Sequence, residues 1–135
     1  MMSEELAKEV DFFSIGTNDL TQYTMSVDRG NEKVSYLYST FNPAVLRSIR
    51  NIIKCGREAG IMVGMCGEAA SDPMMIPLLL AFGLNEFSMS SSAILKARKM
   101  ITGYSEAELQ AVADKAMSFV SAKEIENFMR DFINQ

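Results

Sequence analysis

The 135 residues include no histidine. That absence removes the commonest general base, the usual zinc ligand and any phosphohistidine carrier from this chain, leaving carboxylates, amides, arginine and cysteine for whatever chemistry it has. Cysteine is scarce as well. Cys55 and Cys66 are the only two. They have no metal-type spacing, and both are expected to be free thiols, the default inside a cell. No apolar run approaches the roughly 20 residues of a membrane span, and the opening Met-Met-Ser-Glu-Glu lacks the positive region and apolar core of a signal peptide. A cytoplasmic protein with no membrane contact is therefore expected. Positive charge is also short: 13 Lys and Arg stand against 17 Asp and Glu, a net charge of -4. This balance argues against an electrostatic hold on nucleic acid or anionic membranes, so a small anionic ligand would need a local site. There is no low-complexity stretch, linker or sequence repeat. One compact domain over residues 1–135, or part of one, is the reading, and 48% apolar residues suffice for its core.

What is present is a strand-helix cadence. A short charged helical tail, Glu4 to Val10, precedes the apolar run Phe12 to Ile15, which reads as a buried strand. After a loop, Asn42 and Pro43 supply an N-cap and a first helical residue. Val45, Leu46, Ile49, Ile52 and Ile53 recur at helical spacing, and the helix should end near Gly60. Ile61 to Cys66 then reads as a second buried strand. Asp72-Pro73 opens an apolar helix running to Gly83, with Pro77 blurring its first turn, and Glu86 to Met89 reads as a third strand. Ser90 to Ser92 lead into a helix containing Ile94, Leu95 and Ile101. Two further amphipathic helices carry capping boxes, Ser105 with Glu108 and Ser121 with Glu124. Three strand-helix units in a row imply an α/β fold with a parallel sheet. Alone, such a sheet would have two open edges.

The polar residues cluster where strands end, which is where α/β proteins place ligand groups. The stretch Phe12 to Asn31 delivers Asn18, Asp19 and Arg29 into what reads as a loop. Arg suits bidentate bonding to phosphate or carboxylate, an amide orients it, and a carboxylate beside ligand phosphate suits Mg²⁺. The bland alternative is that Asn18 or Asp19 only caps a helical turn and Arg29 is a solvated charge. The second strand brings Cys66 to its end between Gly64, Gly67 and Glu68, where a thiol can exchange a proton with a ligand. A lone cysteine is more often a small buried apolar residue. Cys55 keeps that bland reading. Met62, Met65, Met74, Met75 and Met89 read as core fillers, and Asp72 as a cap rather than a catalyst. Ser88 to Ser92 could either meet a phosphate or simply cap.

Phe12 to Asn31, Phe41 to Arg47, Gly64-Met65-Cys66-Gly67-Glu68 with Asp72-Pro73, and Glu86 to Ser90 occur here in one order. Together they resemble the phosphoenolpyruvate-utilising enzymes, and among them the enzyme I group of the bacterial phosphoenolpyruvate:sugar phosphotransferase system. Gly-Thr-Asn-Asp-Leu-Thr-Gln and Cys-Gly-Glu are shared with pyruvate phosphate dikinase and phosphoenolpyruvate synthase, which remain the alternative. Tyr23-Thr24 and Val27 to Asn31 tip the choice to enzyme I, and where the dikinase pattern has a histidine this chain has Ala69-Ala70. The resemblance implies about the last three strand-helix units of a (β/α)8 TIM barrel, plus extra C-terminal helices. It further implies Asp19 as a Mg²⁺ ligand, Asn18 and Arg29 on the phosphate of phosphoenolpyruvate, and Cys66 as proton donor to carbon when pyruvate forms. In full length such an enzyme passes phosphate to a histidine and on to the phosphocarrier HPr, and it dimerises. The matching histidine domain and the other barrel ligands have no counterpart in these residues, so the chain alone is expected to be inactive. A non-catalytic, self-associating or ligand-binding module is the other class left open.

Overall fold

The computed structural model describes residues 1–134 and shows a three-stranded parallel sheet with helices packed on one face. Helix α1 (Ser3–Leu6) leads into strand β1 (Phe12–Gly16) and helix α2 (Thr17–Met25). A long loop then reaches α3 (Pro43–Glu58) and β2 (Met62–Cys66). A 3₁₀ turn at Glu68–Ser71 precedes α4 (Ile76–Phe82), β3 (Glu86–Phe87), α5 (Ser91–Ile101), α6 (Glu106–Ser118) and α7 (Ala122–Ile133). The order β1-β2-β3 puts β2 in the centre. Phe12 pairs with Met62 and Gly16 with Cys66 along one ladder, and Gly64 pairs with Glu86 along the other. This is the expected α/β architecture, consistent with part of an α/β barrel.

Period-two alternation sorts the strand side chains onto two faces. Ile15, Val63 and Met65 point into the core, where they meet Val45, Leu46, Ile49 and Ile53 of α3 and Leu78 and Leu79 of α4. Val112 and Ala116 of α6, with Ile125 and Met129 of α7, close that core from outside. The C-terminal helices thus cover α3 and α4, which answers what their apolar stripes were for. Phe12, Ser14, Met62 and Cys66 lie on the opposite, uncovered face and are exposed. The expectation of a buried first strand therefore fails: in β1 only Ile15 is buried, because helices cover a single face of this sheet. Met62 likewise fills no core gap, being 52% exposed.

Most caps behave as their chemistry requires. Asn42 Oδ1 accepts from the Ala44 amide at 2.9 Å with Pro43 beginning the helix. Asp72 does not cap the helix as expected: its Oδ1 accepts from the Met74 amide at 2.8 Å within a turn, and α4 starts only at Ile76 with Met75 at its N-cap and no side-chain cap bond. The third strand is shorter than expected, two residues rather than four. Asn85 fills in by pairing with Val63, its Oδ1 accepting from the Val63 amide at 2.9 Å. Both capping boxes form.

In each box the serine hydroxyl bonds the glutamate, and this holds the Glu108 and Glu124 carboxyls below the ordinary glutamate value. A folded-state value below the unfolded one adds stability that is fully present above the unfolded value and lost as pH falls through the folded one. The stability gap between the parent and a Ser105→Ala/Ser121→Ala double variant should therefore narrow on acidification from pH 7 to pH 3. Urea titrations across that range would read it, and a gap of constant size would refute the assignment. The two ion pairs among the described residues, Lys8 with Glu4 and Lys54 with Glu58, are solvent-exposed and add little. Stability rests on the core.

Candidate functional site at the strand ends

Residues after β1 were expected in a loop, yet Thr17 to Met25 is helical. Thr, Asn and Asp are poor helix formers, which hides this element from propensity. Tertiary anchoring overrides it. Thr21 is fully buried and its hydroxyl meets that of Thr40 at 3.2 Å, while Ser26 in the left-handed conformation turns the chain away. Asn18 and Asp19 consequently sit in the first turn of α2, at the helix end that favours anions. Neither is the N-cap: Gly16 holds that position, without a side-chain bond.

The parallel register sets Gly16 beside Cys66, so the start of α2 and the end of β2 are neighbours. Thr17, wholly buried, donates from Oγ1 to the Cys66 carbonyl at 3.2 Å and pins the two together. Gly67 follows with φ 97° and ψ -178°, a region essentially confined to glycine. An alanine Cβ there would stand 2.5 Å from Thr17 Oγ1 and 3.4 Å from Asn18 Oδ1. Asn18 is thus packed against the turn that carries Cys66. Its carbonyl also accepts from the Tyr38 hydroxyl at 3.2 Å, tying the long loop to the same spot.

Cys66 is exposed and Cys55 buried, both as free thiols. The bland reading therefore holds for Cys55 and fails for Cys66. Asp19 and Arg29 are also exposed. Arg29 sits in the loop beyond α2, where its backbone amide donates to Gln22 Oε1 at 3.4 Å. Among the described residues no hydrogen bond or ion pair joins its guanidinium to Asn18, Asp19 or Cys66. The structure therefore sets Asn18 against the turn that carries Cys66, with Asp19 next to it in the first turn of α2 and Arg29 on the loop beyond that helix. Sequence reasoning missed Thr17, Tyr38 and the constraint at Gly67. The Thr17 partner lies 49 positions away, so no local pattern could have revealed it.

Among the described residues no group of three or more His, Cys, Asp or Glu converges as a metal cage. A single carboxylate still suits Mg²⁺, which keeps waters and takes substrate phosphate as ligands. Asp19, accessible and without a side-chain hydrogen bond among the described residues, meets that requirement.

A protein-family model described as "PEP-utilising enzyme, PEP-binding domain" matches residues 1–105, well over half the chain. The chain belongs to this family. Among curated proteins it is 51% identical over 130 residues to the phosphoenolpyruvate-protein phosphotransferase of Priestia megaterium. It is 50% identical over 131 residues to that of Bacillus subtilis (strain 168), and 50% identical over 130 residues to that of Geobacillus stearothermophilus. These alignments cover 96–97% of this chain and 22–23% of each relative. The chain therefore spans less than a quarter of the length of the enzymes it matches. Helices α6 and α7 fall beyond the family model, whereas the matches to the phosphotransferases take in 96–97% of the chain.

Proposed function

We propose that this chain carries part of the phosphoenolpyruvate site of a phosphoenolpyruvate-protein phosphotransferase, the enzyme I of the bacterial sugar phosphotransferase system. The observation that carries the proposal is the Gly16–Cys66 register with its Thr17 bond, which gathers the asparagine, the aspartate and the thiol at the carboxyl ends of adjacent parallel strands. Asn18, half-buried in the first turn of α2, orients a phosphate, and Arg29 on the loop beyond α2 is the bidentate donor to the same anion. Asp19 is the residue that would hold Mg²⁺, which when bound would supply neutralisation of the phosphate charge. Cys66, exposed and facing the open side of the sheet, gives its proton to the enolate carbon after phosphate has left, and pyruvate forms.

In the intact enzyme the phosphate acceptor is a histidine and the onward partner is HPr. These residues include no histidine and only part of the site's ligands, so this piece is expected to bind weakly at most, with Mg²⁺, and not to turn over. A cytoplasmic setting fits the absence, among the described residues, of any helix long and apolar enough to cross a membrane. The exposed neighbours Phe12 and Met62, paired in register on the uncovered face, support a second reading in which the piece also self-associates.

An amide proton-nitrogen NMR titration with phosphoenolpyruvate, run with and without Mg²⁺, tests both readings. Mg²⁺-dependent shifts are expected at Asn18, Asp19, Arg29 and Cys66, with line broadening as protein concentration rises if copies associate. Asp19→Ala should abolish the Mg²⁺ dependence. An unchanged metal titration in that variant would remove Asp19 from the site, and a folded spectrum indifferent to the ligand would remove the binding function.

A further inference from the structure

Helix α7 does more than close the core, because one of its polar side chains reaches the segment that leaves the ligand loop. Glu126, half-buried on α7, accepts a hydrogen bond at 2.8 Å from the Ser39 hydroxyl, 87 positions earlier in the chain. Among the described residues that hydroxyl is the one donor to the carboxylate, and no cation pairs with it. Ser39 Oγ in turn accepts from the Phe41 amide at 3.2 Å, so the carboxylate ends a short relay that starts on the backbone. The residues on either side are tied elsewhere. The Tyr38 hydroxyl donates to the Asn18 carbonyl at 3.2 Å, and Thr40 meets buried Thr21 at 3.2 Å, both on α2. Three consecutive residues thus hold three anchors, two on the helix that opens the candidate site and one on α7.

The loop that carries Arg29 is fixed at its two ends. It leaves α2 at Ser26, in the left-handed conformation, and rejoins the fold at this clamp, just before Phe41 enters the core and Asn42 caps α3. Between them the loop closes on itself, with the Val34 and Ser35 amides bonded to the Asn31 carbonyl and the Tyr38 amide to the Ser35 carbonyl. Side chains that hold a ligand keep their geometry only if the groups behind them are held in turn. We propose that Glu126 is a positioning residue for the phosphoenolpyruvate site: by fixing Ser39 it seats the clamp, and through Tyr38 and the end of the loop it sets where Asn18 and Arg29 stand. This rests on the functional reading above. Glu126 lies beyond residues 1–105, which match the phosphoenolpyruvate-binding family model, so the C-terminal helix supports that site from outside the matched part. The wholly buried Ile125 and Met129 fix this stretch of α7 to the core, which offers the carboxylate from a rigid element. Hydrogen bonds to an ionised acceptor are also stronger than neutral ones, which suits a single anchoring contact.

The test is amide proton-nitrogen NMR with hydrogen exchange on the whole chain, first without ligand. Glu126→Ala removes the acceptor, whereas Glu126→Gln keeps an oxygen in place and should rescue. Glu126→Ala should displace the Asn18 and Tyr38 peaks and speed exchange at Ser35, Tyr38 and Phe41 about three- to tenfold, the worth of one hydrogen bond. The Leu79 amide, bonded to the Met75 carbonyl within the core, should exchange as in the parent. Ser39→Ala should displace the same peaks, and combining the two changes should add little, since both remove one bond. Asp131→Ala, at an exposed carboxylate on the same helix, should displace neither peak. With phosphoenolpyruvate and Mg²⁺ added, the titration midpoint followed at Asn18 should rise about three- to tenfold in Glu126→Ala and return in Glu126→Gln. A folded Glu126→Ala chain with the parent's Asn18 peak and loop exchange, or with the parent's titration, would overturn the proposal. If Glu126→Ala does not fold, Ser39→Ala carries the same readings. A parent that ignores phosphoenolpyruvate, while Glu126→Ala still displaces Asn18, would keep the coupling and discard the functional reading.

Discussion

Replacing Leu79 by alanine is expected to lower stability by about 3–5 kcal/mol, read as a drop in the urea midpoint at unchanged slope. Leu79 is fully buried, on the helix that α6 packs against, and it belongs to the core shared by α3, β2 and the C-terminal helices. Truncation loses the transfer free energy of the side chain and leaves a cavity among neighbours already held by two layers of helix. Domains of this size are stable by only about 5–15 kcal/mol, so the variant should be near its unfolding limit. The same change at Leu95, which is 79% exposed on α5, should lie within about 0.5 kcal/mol of the parent. If the Leu79 variant loses less than about 1 kcal/mol, α6 and α7 do not seal this core.

Gly67→Ala is expected to separate the site from the fold. The backbone at Gly67 sits where a Cβ is strained by about 1–3 kcal/mol, and that Cβ would also press on Thr17 Oγ1 and then on Asn18. Relief requires the turn to move, which loosens the Thr17 bond to the Cys66 carbonyl and displaces Asn18 from the thiol. Dispersed amide peaks should persist while the Mg²⁺-dependent shifts at Asn18 and Cys66 vanish. Gly16→Ala is the control. At that position φ is -88° and nothing lies within 4 Å of the added carbon, so binding should survive. A Gly67→Ala chain that binds like the parent would show that the turn does not position the site.

The two expectations differ in how much of their basis could be read in the residues alone. The helix stripes, the Asn42-Pro43 start, the two serine-glutamate boxes and the places of the three strands were all legible, since each depends on groups within a few positions of one another. The motif residues were legible too, as types in an order.

Which face each residue took was another matter. Phe12 and Ile15 belong to one apolar run, yet one is exposed and the other buried, because coverage depends on helices drawn from far along the chain. Helix α2 escaped notice because its Thr, Asn and Asp disfavour helix, and tertiary anchoring holds it: Thr17 and Thr21 are buried, and Leu20 and Met25 pack against the core. Cys66 could have been core filler or an accessible thiol until the register with β1 and the lack of a covering layer settled its exposure. The pairing of Thr17 with Cys66 and of Glu86 with Gly64 joins segments separated by dozens or tens of residues, and no local rule reaches that far. Local chemistry determined the elements and their ends. Tertiary structure decided which side chains meet, because meeting depends on strand register and on which face the helices leave open to water.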